Sequence, residues 1–69
     1  MIELTLRDDF IKLGQALKAA HLCDTGVDAK HVIQEGLVSV NGEVDTRRGR
    51  KLVAGDVVTF DGETIRVVR

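Results

Sequence analysis

Along Ile2-Glu3-Leu4-Thr5-Leu6, apolar and polar residues alternate, the period of a strand with one face buried. The period then lengthens. Phe10, Leu13, Leu17 and Ala20 follow at spacings of three, four and three, which puts them on one helical face. Asp8-Asp9 ahead of them supplies the negative charge that suits a helix N-terminus. The pattern predicts a first helix from Asp9 to His21, and both aromatics, Phe10 and Phe60, are assigned to the core. Gly14 inside that helix costs about 1 kcal/mol relative to alanine, which close approach of a neighbouring element would explain. After the short corner Leu22-Cys23-Asp24, the Thr-x-x-Asp spacing of Thr25-Gly26-Val27-Asp28 marks a second helix start. That helix presents an apolar edge of Val27, Val32 and Ile33, carries Lys30 and Gln34 on another edge, and ends at Gly36 in a left-handed conformation.

Beyond Gly36 the period shortens again. Leu37, Val38 and Val40 lead into Asn41-Gly42, a strong signal for a type I′ hairpin turn, and Glu43-Val44 begins the return strand. The run Asp45 to Lys51 has no apolar residue and contains Gly49, so it is expected to be a solvated loop. Burial resumes at Leu52-Val53, and two further strands, Val57 to Phe60 and Thr64 to Val68, flank a second type I′ candidate at Asp61-Gly62. Strand, helix pair, then several short strands predict an α+β fold: a two-helix pair packed on a small twisted, mainly antiparallel sheet, as a single domain over residues 1–69.

Composition narrows the class. With 43% hydrophobic and 30% charged residues the chain is too apolar for disorder. No apolar run approaches the roughly 18 residues of a membrane span, so a cytoplasmic protein with no membrane partner is expected. The lone Cys23 cannot form an internal disulfide and reads as a small buried hydrophobe. His21, Cys23 and His31 lack a fourth ligand and a Cys-x-x-Cys pair, which argues against a metal site. No nucleophile and base arrangement or Gly-rich nucleotide loop is visible, so neither enzyme activity nor a cofactor is expected.

Charge points elsewhere. The net charge of −1 argues against a nucleic-acid partner when taken alone, yet four of the ten Lys and Arg residues fall within Arg47-Arg48-Gly49-Arg50-Lys51. Arginine forks bond two phosphate oxygens at once, and Gly49 lets the backbone approach a sugar-phosphate chain. Lys30 and Gln34 would add contacts from the second helix. With no Tyr or Trp and both Phe assigned to the core, recognition is expected to rest on RNA shape and backbone rather than on base stacking. A protein-protein adaptor without direct RNA contact is the alternative.

The stretch from Thr25 to Val44, with its capped helix start, Ala29, the Val32-Ile33 pair, Gly36 and Val38-Ser39-Val40-Asn41-Gly42, resembles the S4 RNA-binding domain family. Gly55-Asp56-Val57-Val58 matches the family's Gly-Asp-x-Val, and Arg47 to Leu52 looks like its small stand-alone YbcJ/YaaA-type members. The likeness covers about positions 10 to 60. It implies an S4-like αL motif that binds structured RNA, ribosomal or tRNA-like, in a monomer, with the ribosome as a candidate partner. The implied contacts are Thr25, Gly26, Lys30, Gln34, Asn41, Arg47, Arg48, Gly49, Arg50 and Lys51. Many members carry an arginine after the helix-start serine; here Gly26 follows Thr25, and one phosphate contact is lost.

Overall fold

Alternation along the strands becomes a mixed sheet with one dry face. In the computed structural model, which describes all 69 residues, the strands are β1 (Ile2–Thr5), β2 (Ile11–Lys12), β3 (Val38–Val40), β4 (Glu43–Val44), β5 (Lys51–Leu52), β6 (Val57–Phe60) and β7 (Glu63–Val68). Five of them form a sheet in the order β1-β7-β6-β3-β4, antiparallel throughout except for the parallel pair β1/β7. The register aligns Val40 with Val58, Val58 with Ile65, and Ile65 with Ile2, so these apolar side chains share the inner face. Ser39, Thr59 and Thr64 align on the other face. Both Asn-Gly and Asp-Gly turns take the positive φ pairs that a type I′ hairpin demands, 53° and 85° at Asn41-Gly42 and 52° and 78° at Asp61-Gly62.

Two helices, α1 (Leu13–Ala19) and α2 (Gly26–Gln34), cover the inner face with Leu13, Ala16, Leu17, Ala29 and Ile33, all fully buried. Thr25 caps α2 as its spacing predicts, its Oγ1 accepting the Asp28 N–H at 3.1 Å, and Gly36 ends that segment at φ 79°. Cys23 is buried in the same core, and burial, with the charges of Asp28 and Asp24, pushes its thiol pKa up.

The first helix begins later than its periodicity predicts. Ile11 and Lys12 are extended and pair with Leu52 and Lys51, so α1 starts at Leu13 and Asp8-Asp9 lie outside its first turn. Pairing brings Ile11 against fully buried Leu52, a long-range gain that local helical spacing cannot offer. Phe10 is consequently not a core residue: it is 38% exposed, with the Lys51 ammonium 4.8 Å from its ring centroid. Val27 is also exposed (76%), because α2 turns Ala29 and Ile33 inward, and Val53 is exposed beside buried Leu52.

The run Asp45 to Lys51 is mostly exposed, as a solvated loop would be, but it is anchored at both ends by the buried Asp45 and by Lys51 in β5. The Asp45 N–H still donates to the Val38 carbonyl at 3.1 Å, continuing the β3–β4 ladder one residue beyond Val44. Since Val44 lies opposite Ser39, the pleat turns the next side chain inward, and Asp45 is only 6% exposed. A buried carboxylate requires partners. Arg47 forks onto it through Nε (3.1 Å) and Nη2 (2.9 Å), the Arg47 backbone N–H donates at 2.9 Å, and Arg50 Nη1 donates at 2.7 Å. The Arg47 bonds, aided by those from Arg50 and opposed by burial, hold the Asp45 carboxyl well below the usual carboxylate range; Asp45 in turn raises the Arg47 guanidinium.

Folded this way, the loop caps α1. The Leu13 and Gly14 N–H groups, which a helix leaves unpartnered, donate to the carbonyls of Arg50 (2.8 Å) and Arg48 (3.1 Å). Gly14 is the contact point: a Cβ there would sit 2.9 Å from Arg48 Cγ. Gly14→Val should therefore cost about 1–3 kcal/mol through overpacking, lowering Tm by roughly 4–8 °C per kcal/mol; an unchanged melting curve would contradict the close approach. Asp45→Asn should cost about 1–3 kcal/mol at neutral pH, because it weakens four hydrogen bonds that include the two guanidiniums. The native contribution of Asp45 is present in full above about pH 3.9, the unfolded aspartate value, and is lost as pH falls below it, since the folded pKa is depressed. Denaturant titrations across the acid range should show Asp45→Asn losing part of that acid sensitivity; parallel pH profiles for the two proteins would count against the carboxylate's role.

Candidate nucleic-acid interface

Three separate segments meet around one cleft. Lys12, Gly14, Gln15 and Lys18 come from β2 and α1, Gly26 from the start of α2, and Arg48 and Gly49 from the docked loop. The cleft measures about 240 Å³, and no acidic or large apolar side chain lines it. Its cations are uncommitted: Lys12, Lys18 and Arg48 make no ion pair with any carboxylate. Lys12 even stands directly across from Lys51 in the β2/β5 ladder, a like-charge pairing that costs stability and that a bound anion would relieve.

Bare backbone completes the surface. Nothing lies within 4 Å of where a Cβ would project from Gly26 or Gly49, so a polymer backbone can approach the main chain at both points. Gly26 is also the first residue of α2, whose N-terminal dipole favours an anion. Gln15 Oε1 accepts the Lys12 N–H at 3.3 Å, which leaves its amide nitrogen free to donate.

The residues singled out from the sequence are distributed unevenly. Gly26, Arg48 and Gly49 line the cleft, and Thr25 acts as the cap that starts α2 beside it. Lys30 and Gln34 lie together with Val27 and His31 along a separate shallow groove on the exposed side of α2, where His31 faces Glu35 at 3.0 Å. Arg47 and Arg50 spend their guanidiniums on Asp45, Arg50 with a side chain only 31% exposed. Lys51 stands over Phe10. Asn41 is engaged in the framework: its Nδ2 donates to Asp56 Oδ1 at 3.1 Å and its Oδ1 accepts the Val57 N–H at 2.9 Å, tying the β3–β4 turn to β6.

Lys12, Gln15 and Lys18 were not apparent as site residues from the sequence. Their spacing of three along the chain was a usable signal, since it places Gln15 and Lys18 on one face of α1. What hid them was the polarity expected of any solvated helix face.

Comparison with known proteins identifies the family. The sequence model described as "S4 domain" matches residues 4–68. The chain is 46% identical over 59 residues to "Probable ribosome maturation protein RlbA" of Bacillus subtilis (strain 168), covering 86% of this chain and 83% of that protein. It is 41% identical over 58 residues to "Putative RNA-binding protein YbcJ" of Escherichia coli (strain K12), covering 84% and 83% respectively. The solution structure of E. coli YbcJ, described as revealing an αL motif involved in RNA-binding, superposes with a TM-score of 0.77 at 37% identity over 100% of this chain and 89% of that one. From the helix pair and the capped αL segment to the sheet that carries them, the chain belongs to the S4 domain family.

Proposed function

We propose that the protein is a non-catalytic binder of structured RNA, and that phosphates of the RNA backbone seat in the cleft between α1, the start of α2 and the Arg48-Gly49 turn. One observation carries the reading. Three cations from two segments distant in sequence, Lys12 and Lys18 from β2–α1 and Arg48 from the docked loop, converge without an acidic partner, beside two glycines that expose main chain. Such a surface suits a chain of phosphates, because guanidinium and ammonium groups supply the charge and the backbone N–H groups the close contact. Lys51 stands beside it, across from Lys12, and Lys30 lies in the neighbouring groove of α2. Arg47 and Arg50 act indirectly, through the loop conformation that presents Arg48.

Among RNAs, ribosomal RNA is favoured. The relative RlbA is described as a ribosome maturation protein, and an A-form helix presents its phosphates and sugars to a rigid surface without demanding base readout. Ribosome association follows as a partner.

Binding to a structured RNA should fall steeply with salt. With Lys12, Lys18, Arg48 and Lys51 each neutralising a phosphate, log K against log salt should have a slope of about −3 to −4. Lys18→Glu with Arg48→Glu should reduce that slope by about 2 and weaken binding across unrelated sequences, while the far-UV circular dichroism stays unchanged. A slope near zero, or full binding by the double variant, would rule out the phosphate cleft.

A further inference from the structure

A second hollow adjoins the cleft and differs from it in chemistry. It spans about 500 Å³ between the end of β1 and α1, walled on its apolar side by Leu4, Leu6, Phe10 and Ile11, with Arg7, Asp8 and Gln15 among its polar residues. Gln15 lines both hollows. Phe10 and Lys12 are two residues apart, about 6.6 Å along an extended chain, so the aromatic wall of one hollow stands beside a cation of the other. Building on the RNA-binding reading above, we propose that this hollow receives one unpaired nucleobase of the bound strand, whose phosphate is held in the basic cleft.

Three features favour a base over further backbone. The apolar walls suit the flat face of a base, and Phe10, with Lys51 over one face of its ring, is exposed enough to stack on the other. Asp8 offsets the charge of the neighbouring Arg7, so the hollow has no net positive charge to hold a phosphate, and the Asp8 carboxylate accepts an N–H from a base edge. Gln15, with its Oε1 on the Lys12 N–H, keeps an amide N–H free at the boundary between the hollows. A largely apolar hollow of balanced charge on one side of Gln15 and a wholly cationic cleft on the other thus mirror the division of a nucleotide into base and phosphate.

The test uses the full chain and three RNA hairpins that differ at one site: fully paired, with a single-nucleotide bulge, and with an abasic residue in that bulge. Fluorescence anisotropy should show the bulged hairpin binding about 5- to 150-fold tighter than the abasic one, the range of a single base–aromatic stack. Phe10→Ala should remove that difference while leaving affinity for the paired hairpin within about twofold, and Phe10→Leu, which keeps apolar bulk, should restore part of it. Equal binding of the bulged and abasic hairpins by the native protein would overturn the base site while leaving the phosphate cleft standing. Equal losses for all three hairpins in Phe10→Ala would likewise overturn it. Failure of the native protein to bind any of the three would bring down the RNA-binding reading itself, and the base site with it.

Discussion

The buried carboxylate of Asp45 is the constraint on which the functional surface depends. The β3–β4 ladder turns this side chain inward, and an inward charge must be answered by cations at hydrogen-bond distance. Arg47 and Arg50 answer it, and in doing so they bend the intervening residues so that the carbonyls of Arg48 and Arg50 meet the first free N–H groups of α1. One interaction thereby positions a loop, caps a helix and directs Arg48 toward the cleft. A seven-residue helix has little intrinsic stability, so this external cap supports α1 in a way that its own residues do not.

The same arrangement explains how a chain of net charge −1 presents a cationic surface. Half of the four cations in the basic run are neutralised by Asp45, and the surplus is made up by Lys12 and Lys18, which are distant in sequence. Cations that are paired internally contribute shape, and cations left unpaired give the cleft its positive charge. Counting Lys and Arg in the run Arg47 to Lys51 therefore misjudges the interface in both directions: it includes two that are committed and omits two that are free. The helix pair and sheet that carry this surface are those of the S4 domain family.

Much of the fold was legible because it is set by local chemistry. Thr25 as a cap, Gly36 as a left-handed terminator and the two type I′ turns each require a residue type at a fixed place, and the strands follow from strict alternation. Gly14 was legible as a close approach, though not what approached it. The errors fall where long-range contacts override local pattern. Phe10 keeps perfect helical spacing with Leu13 and Leu17, yet the pairing of Ile11 with Leu52, 41 positions further along the chain, pulls the segment into a strand and leaves the ring outside. Asp45 looked like the start of a polar loop because nothing in a single sequence tells an inward aspartate from an outward one. Of the candidate contacts, Arg48, Gly49 and Gly26 converge as expected, whereas Asn41 serves the hairpin and Lys30 and Gln34 occupy a neighbouring groove.

The most direct measurement is chemical-shift mapping of the protein's amides during titration with a structured RNA. If phosphates seat in the cleft, the largest changes will fall on Lys12 to Lys18, Gly26, Arg48 and Gly49, and will diminish together as salt is raised. Changes confined to the outer sheet face around Ser39, Thr59 and Thr64, with the cleft amides unmoved, would contradict the placement of the interface.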